Sequence, residues 1–128
     1  MANTTFNGPV RSRNGVVFKD QETVTQITSA TTGVTVNANA GTITTVVQNI
    51  AAGGEVQFTV TNNKVTALSV PVVAIASGTV GGTTVANVTA VAAGSFQITL
   101  TNLHAATAET GTLVINFIVN GVQTATSA

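Results

Sequence analysis

Thr, Val and Ile supply 53 of the 128 residues (25, 21 and 7). No other property of the chain limits its fold as strongly. Two heavy atoms on Cβ restrict χ1, which suits a pleated sheet and disfavours a helix. Residues that dress helical surfaces are scarce, since Leu, Met, Glu, Lys and Arg together number 12. The chain reads as all-β, and its length is that of one domain.

Short alternating runs separated by turn residues give about eight strands. Val34 and Val36 alternate with polar residues, and Val56, Phe58 and Val60 alternate with Glu55, Gln57, Thr59 and Thr61. That phase predicts a half-buried strand. Further strands are expected near 23–28, 43–47, 68–76, 83–91, 95–101 and 113–119. Pro71 lacks a backbone donor, so the 68–76 strand belongs at an edge or a bulge. Leu113–Val119 is apolar in both phases except at Asn116, which predicts a central strand. This spacing is that of a two-sheet antiparallel β-sandwich, jelly-roll or Ig-like. Val56, Phe58, Val60, Phe96, Ile98, Leu100, Leu113, Ile115 and Phe117 are its expected core.

The sequence also repeats. Residues 52–62 and 92–102 align without gaps at an offset of 40, and six of eleven positions are identical. Each copy is a turn followed by an alternating strand that ends in Thr-Asn. Two copies are too few for a solenoid. They fit two related hairpin units, one in each half of a Greek-key sandwich.

Eight charged residues, four of each sign, leave a formal net charge of zero. An average domain carries about four times that density. Electrostatic capture of nucleic acid or of an anionic membrane is therefore not expected. A weakly charged surface associates readily, which predicts a homo-oligomer. No run of apolar residues reaches the length of a membrane span. The start of the chain lacks the basic-then-apolar order of a secretory signal, so synthesis in a cytoplasm is expected.

Five of the eight charges fall within residues 1–22, together with Phe6, Phe18 and the turn signals Asn7-Gly8-Pro9 and Asn14-Gly15. We read 1–22 as an N-terminal arm and 23–128 as the β-sandwich domain. Arg and Phe are typical binding anchors, so Phe6, Pro9, Arg11, Arg13 and Phe18 are the candidate partner-binding residues.

Catalytic chemistry finds little to work with. The absence of Cys excludes disulfides, thiol chemistry and Cys-based metal sites. His104 is the sole His, with Glu109 its only nearby acid, and it reads as a structural or surface residue. Asp20 and Glu22 read as a solvated pair in the arm. The Gly-rich run 77–84 lacks the Lys of a phosphate-binding loop and reads as a flexible hairpin loop. Without Trp or Tyr there is no stacking platform for sugars or bases. No catalytic residue, cofactor or metal is expected.

Residues 6–15, Phe-Asn-Gly-Pro-Val-Arg-Ser-Arg-Asn-Gly, resemble the N-terminal segment of small structural proteins of tailed-bacteriophage virions. Residues 23–29, 41–44, 51–53 and 113–119 are similar to a phage head-associated β domain. The resemblance implies a non-enzymatic virion component on the head surface, a capsid decoration (cement) protein whose partner is the major capsid protein. It also implies trimers, the usual cluster at local three-fold positions of a shell. The alternatives are a neck, tail or fibre component docking through the arm, and a glycan- or receptor-binding β module.

Overall fold

The computed structural model describes residues 5–81 and 83–121. Eight strands form two four-stranded sheets, and no helix occurs among the described residues. The strands are β1 (Gln21–Thr25), β2 (Val34–Thr35), β3 (Ala40–Val47), β4 (Glu55–Thr61), β5 (Val70–Ser77), β6 (Thr84–Ala92), β7 (Ser95–Asn102) and β8 (Thr112–Asn120). One sheet has the order β1-β3-β8-β5 and the other β2-β4-β7-β6. The β-sandwich expected from the β-branched content is present.

The sheets are mixed rather than purely antiparallel. β1 runs parallel to β3, and β2 runs parallel to β4. The cause is connectivity: apart from the β6–β7 hairpin, every link carries the chain from one sheet to the other. A strand that returns after such a crossing can meet its neighbour in either direction. The 77–84 segment is thus no hairpin loop, because β5 and β6 lie in different sheets.

The sequence repeat has a different meaning from the one expected. Its two strands, β4 and β7, are direct antiparallel neighbours in one sheet rather than members of separate halves. Phe58 pairs with Ile98, its own equivalent at the offset of 40. A local two-fold axis therefore passes between them. The ends obey the same symmetry, with Asn62 N donating to Gly94 O and Asn102 N donating to Gly54 O, each at 2.9 Å.

β8 is central between β3 and β5, as its double apolar phase predicts, but only its inner phase is buried. β5 is an edge strand with a bulge between Ile75 and Ser77, and Pro71 sits there without breaking a ladder. Phe58, Val60, Phe96, Ile98, Leu100, Leu113, Ile115 and Phe117 are buried as expected. Val56 is half-buried at the margin. Phe96 and Phe117 join the two sheets with ring centroids 6.2 Å apart and planes tilted by 52°, an arrangement that adds to simple area burial. Val34, Val36, Ala38, Ile43, Ile50, Val65 and Val119 complete the core; four of these, Val36, Ala38, Ile50 and Val65, lie in connecting segments, and no alternation marks the last three.

β1 begins at Gln21, so Glu22 belongs to the sheet. Asp20 and Glu22 are solvent-accessible, as expected, but each bonds to the body rather than lying free in an arm. Asp20 Oδ2 accepts from Asn39 N and Asn39 Nδ2, and Glu22 Oε2 accepts from Asn37 N. They tie the first strand to the loop that leads into β3.

Candidate interaction surface

Strand register decides which side chains point away from the core. On the β2-β4-β7-β6 sheet the outward positions include Glu55, Gln57, Thr59, Gln97, Thr99 and Asn87. Val85, 37% exposed, is its only large apolar side chain on that face. The β1-β3-β8-β5 sheet is different. Val47, Val70, Val72, Val114 and Ile118 point outward among Thr, Ala, Asn and Gln, and no outward position carries a charge. Val72 and Ile118 are directly paired and remain 52% and 40% exposed. The sandwich thus has one hydrophilic face and one neutral, Val-studded face. Alternation alone could not reveal this, because both faces belong to strands with equally apolar inner phases.

The arm leaves from the edge of the Val-studded sheet. Gln21 Nε2 donates to Phe18 O at 2.6 Å, and the Ser12 hydroxyl donates to Gly15 O. Val16, Val17 and Phe18 border a shallow groove of about 350 Å³ whose floor includes Ala40, Thr42 and Ile118. Phe18 is half-buried there, whereas every residue from Thr5 to Val17 is exposed. Phe6 and Val10 are 68% and 67% exposed. Pro9, Arg11 and Arg13 are exposed too and lack a partner among the described residues. Of the five candidate anchors only Phe18 touches the domain, and the fold does not gather the others into one site.

The structural boundary at Asp20 sharpens the charge pattern. Residues 1–19 carry Arg11, Arg13 and Lys19 and no acid, a formal charge of +3. The remaining 109 residues carry four acids and Lys64, a formal charge of −3. The arm is cationic and the body acidic, while the sum conceals both. The one ion pair among the described residues, Lys64 with Asp20 at 3.9 Å, lies within the body. Both side chains are more than two fifths exposed, so it contributes little.

Comparison with protein-family models, curated proteins and solved structures finds no match for this chain.

The groups with catalytic potential are occupied structurally. Glu109, 1% exposed, accepts from Val80 N and Gly111 N through Oε1 and from Thr84 Oγ1 through Oε2. Burial pushes its carboxyl pKa up, but the hydrogen bonds from Thr84, Val80, Gly111 and Thr110 outweigh it and hold the value below the ordinary 4.5. His104 Nδ1 accepts from Ala106 N and Thr107 N, which places the neutral ring's proton on Nε2. His104 Nδ1 meets only backbone amides in these bonds, and the one hydroxyl on Glu109, that of Thr84, is buried with it. No cluster of three or more His, Asp or Glu able to hold a metal ion occurs among the described residues.

Buried amides, which sequence reading missed, hold the ends of the sandwich. Asn102 Nδ2 donates to Ile50 O and Thr107 O, while its Oδ1 accepts from His104 N. Asn62 Nδ2 donates to Ala38 O, and its Oδ1 accepts from Lys64 N. The Thr-Asn ending of each repeat was the available signal. Each Asn ends its strand by turning the chain and fastening a crossing loop.

Proposed function

We propose that this chain is a structural assembly protein, a capsid decoration (cement) protein of a tailed bacteriophage, bound to the outside of the head through residues 5–19. The separation of charge supports this reading most. A cationic arm with four exposed apolar side chains, Phe6, Val10, Val16 and Val17, projects from an acidic body that holds none of them. Such a segment seeks an acidic, pocketed partner, which here is the major capsid protein. Arg11 and Arg13 pair with its carboxylates, and Phe6 enters an apolar pocket.

The rigid sandwich supplies the bulk that a clamp across shell subunits requires. Binding to the assembled shell but not to loose subunits stabilises it by mass action. The role is non-catalytic, and the structural engagement of Glu109 and His104 is in keeping with it. The Phe6–Gly15 resemblance favours the same virion setting.

The test is occupancy of shells stripped of this protein, comparing the full chain with its R11E/R13E variant. The variant is expected to fold normally and to bind at least about thirtyfold more weakly, the loss of one hot-spot contact or more. Undiminished occupancy would remove the arm as the anchor.

A further inference from the structure

We propose that the neutral outer face of the β1-β3-β8-β5 sheet is a self-association surface, on which a second copy of this chain packs face to face. Charge argues for that occupant. Each body carries a formal −3, so two copies repel wherever their charged surfaces meet. On this sheet no outward position is charged. It is the broad sheet face on which two acidic bodies approach without opposing like charges, since the opposite sheet displays Glu55. A cationic arm, by contrast, gains nothing from a surface without acids, so the arm and this face serve different partners.

The pattern suits an interface. The paired Val72 and Ile118, with Val70, form an apolar patch on the β8–β5 side of the face, bordered by Asn116 and Asn120, with Thr42 beyond. Apolar side chains set among neutral polar ones are common in association surfaces. Size agrees as well. Four strands at ~4.8 Å spacing and eight residues at ~3.3 Å give a face of roughly 500 Å² in plan. Two such faces bury about 1,000 Å², the lower limit for a specific interface. Two twisted sheets stacked in this way repeat the packing already present inside each sandwich.

Analytical ultracentrifugation of the full chain at about 100 μM, above the micromolar range that modest interfaces reach, tests the pairing. Wild type is expected as a reversible dimer that persists at high salt, since no charge pair holds it. V72E is expected to weaken the dimer more than about tenfold, placing a charge within the apolar patch. V72T, nearly isosteric and safe for the fold, should weaken it by less. V85E on the opposite face and R11E/R13E in the arm should leave it intact. A monomer at this concentration overturns the proposal, as does a dimer insensitive to V72E. Loss of the dimer in R11E/R13E alone also overturns it, by making the arm the self-contact. These outcomes are separate from shell binding, which the arm variant tests.

Discussion

Glu109 fastens three separate segments of the fold. Its carboxylate holds the β5–β6 crossing through Val80, the start of β6 through Thr84, and the turn into β8 through Gly111, while its backbone pairs with Ile50. Two of its side-chain partners, Val80 N and Gly111 N, can only donate, while the Thr84 hydroxyl can also accept. In Glu109→Gln the amide oxygen keeps the two N–H groups and the NH₂ must reverse the Thr84 hydroxyl, so charge-assisted bonds become neutral ones and the variant should lose about 1–3 kcal/mol in urea unfolding. Its pH dependence has a definite sign. The folded pKa lies below 4.5, so on acidification the unfolded chain takes up this proton first. The stabilisation is complete above the ordinary Glu value and is lost as pH falls from there through the lower folded value. Unfolding free energy measured against pH should drop more steeply for wild type than for Glu109→Gln in that window; parallel curves would contradict the assignment. The two repeat asparagines offer a second comparison. Asn62→Ala and Asn102→Ala should each destabilise by about 1–3 kcal/mol, with Asn102 the costlier because its amide serves more carbonyls. Asn87→Ala, on the outward side of β6, should be nearly neutral in the same urea series.

Among the elements, β1 is the one that ties the arm to the body, and Gly41 makes this possible. A Cβ at residue 41 would lie 2.0 Å from Glu22 O and 3.0 Å from the Phe117 ring. β1 approaches β3 closely only because residue 41 has no side chain. Gly41→Ala should therefore push β1 off the sheet edge while leaving the β3-β8-β5 ladder in place. Amide exchange of residues 21–25 should accelerate while that of 113–119 stays slow; protection of both would show the contact to be dispensable. The strands themselves were legible from residue patterns. Alternation at Val56, Phe58 and Val60 marked β4, Pro71 marked an edge, and the double phase of 113–119 marked the centre. Strand partners were less legible. The repeat was plain in the sequence, but nothing local states that Phe58 faces Ile98 across a two-fold axis. Parallel pairing at β1 and β2 follows from sheet-crossing links that leave no periodic trace. No pattern marked Asn62, Asn102 and Glu109 as buried, because their partners are mostly backbone carbonyls and amides, which every sequence has and none advertises. The candidate arm was visible in its charges and Phe residues. The neutral sheet face was not, since it emerges only when β3, β5 and β8 are placed side by side.

At the level of the whole molecule, charge and apolar surface are divided among three regions: a cationic arm, a neutral Val-studded face and a hydrophilic face. Residues 5–17 are exposed throughout, so removing residues 1–17 should leave the melting midpoint of the body unchanged in calorimetry and shell binding abolished. A lower midpoint would mean that the arm packs on its own domain. The division also predicts opposite responses to salt. Arm-mediated attachment should weaken as ionic strength rises, because it rests on charge, whereas pairing through the neutral face should persist. The central claim is that this chain coats a phage head. The proposed role is tested most directly by quantitative mass spectrometry of purified virions, with the copy number of this chain set against that of the major capsid protein. The account predicts a fixed ratio of the same order as the shell subunit itself. Absence from the particle, or a few copies of the kind a neck or fibre component would show, would contradict it.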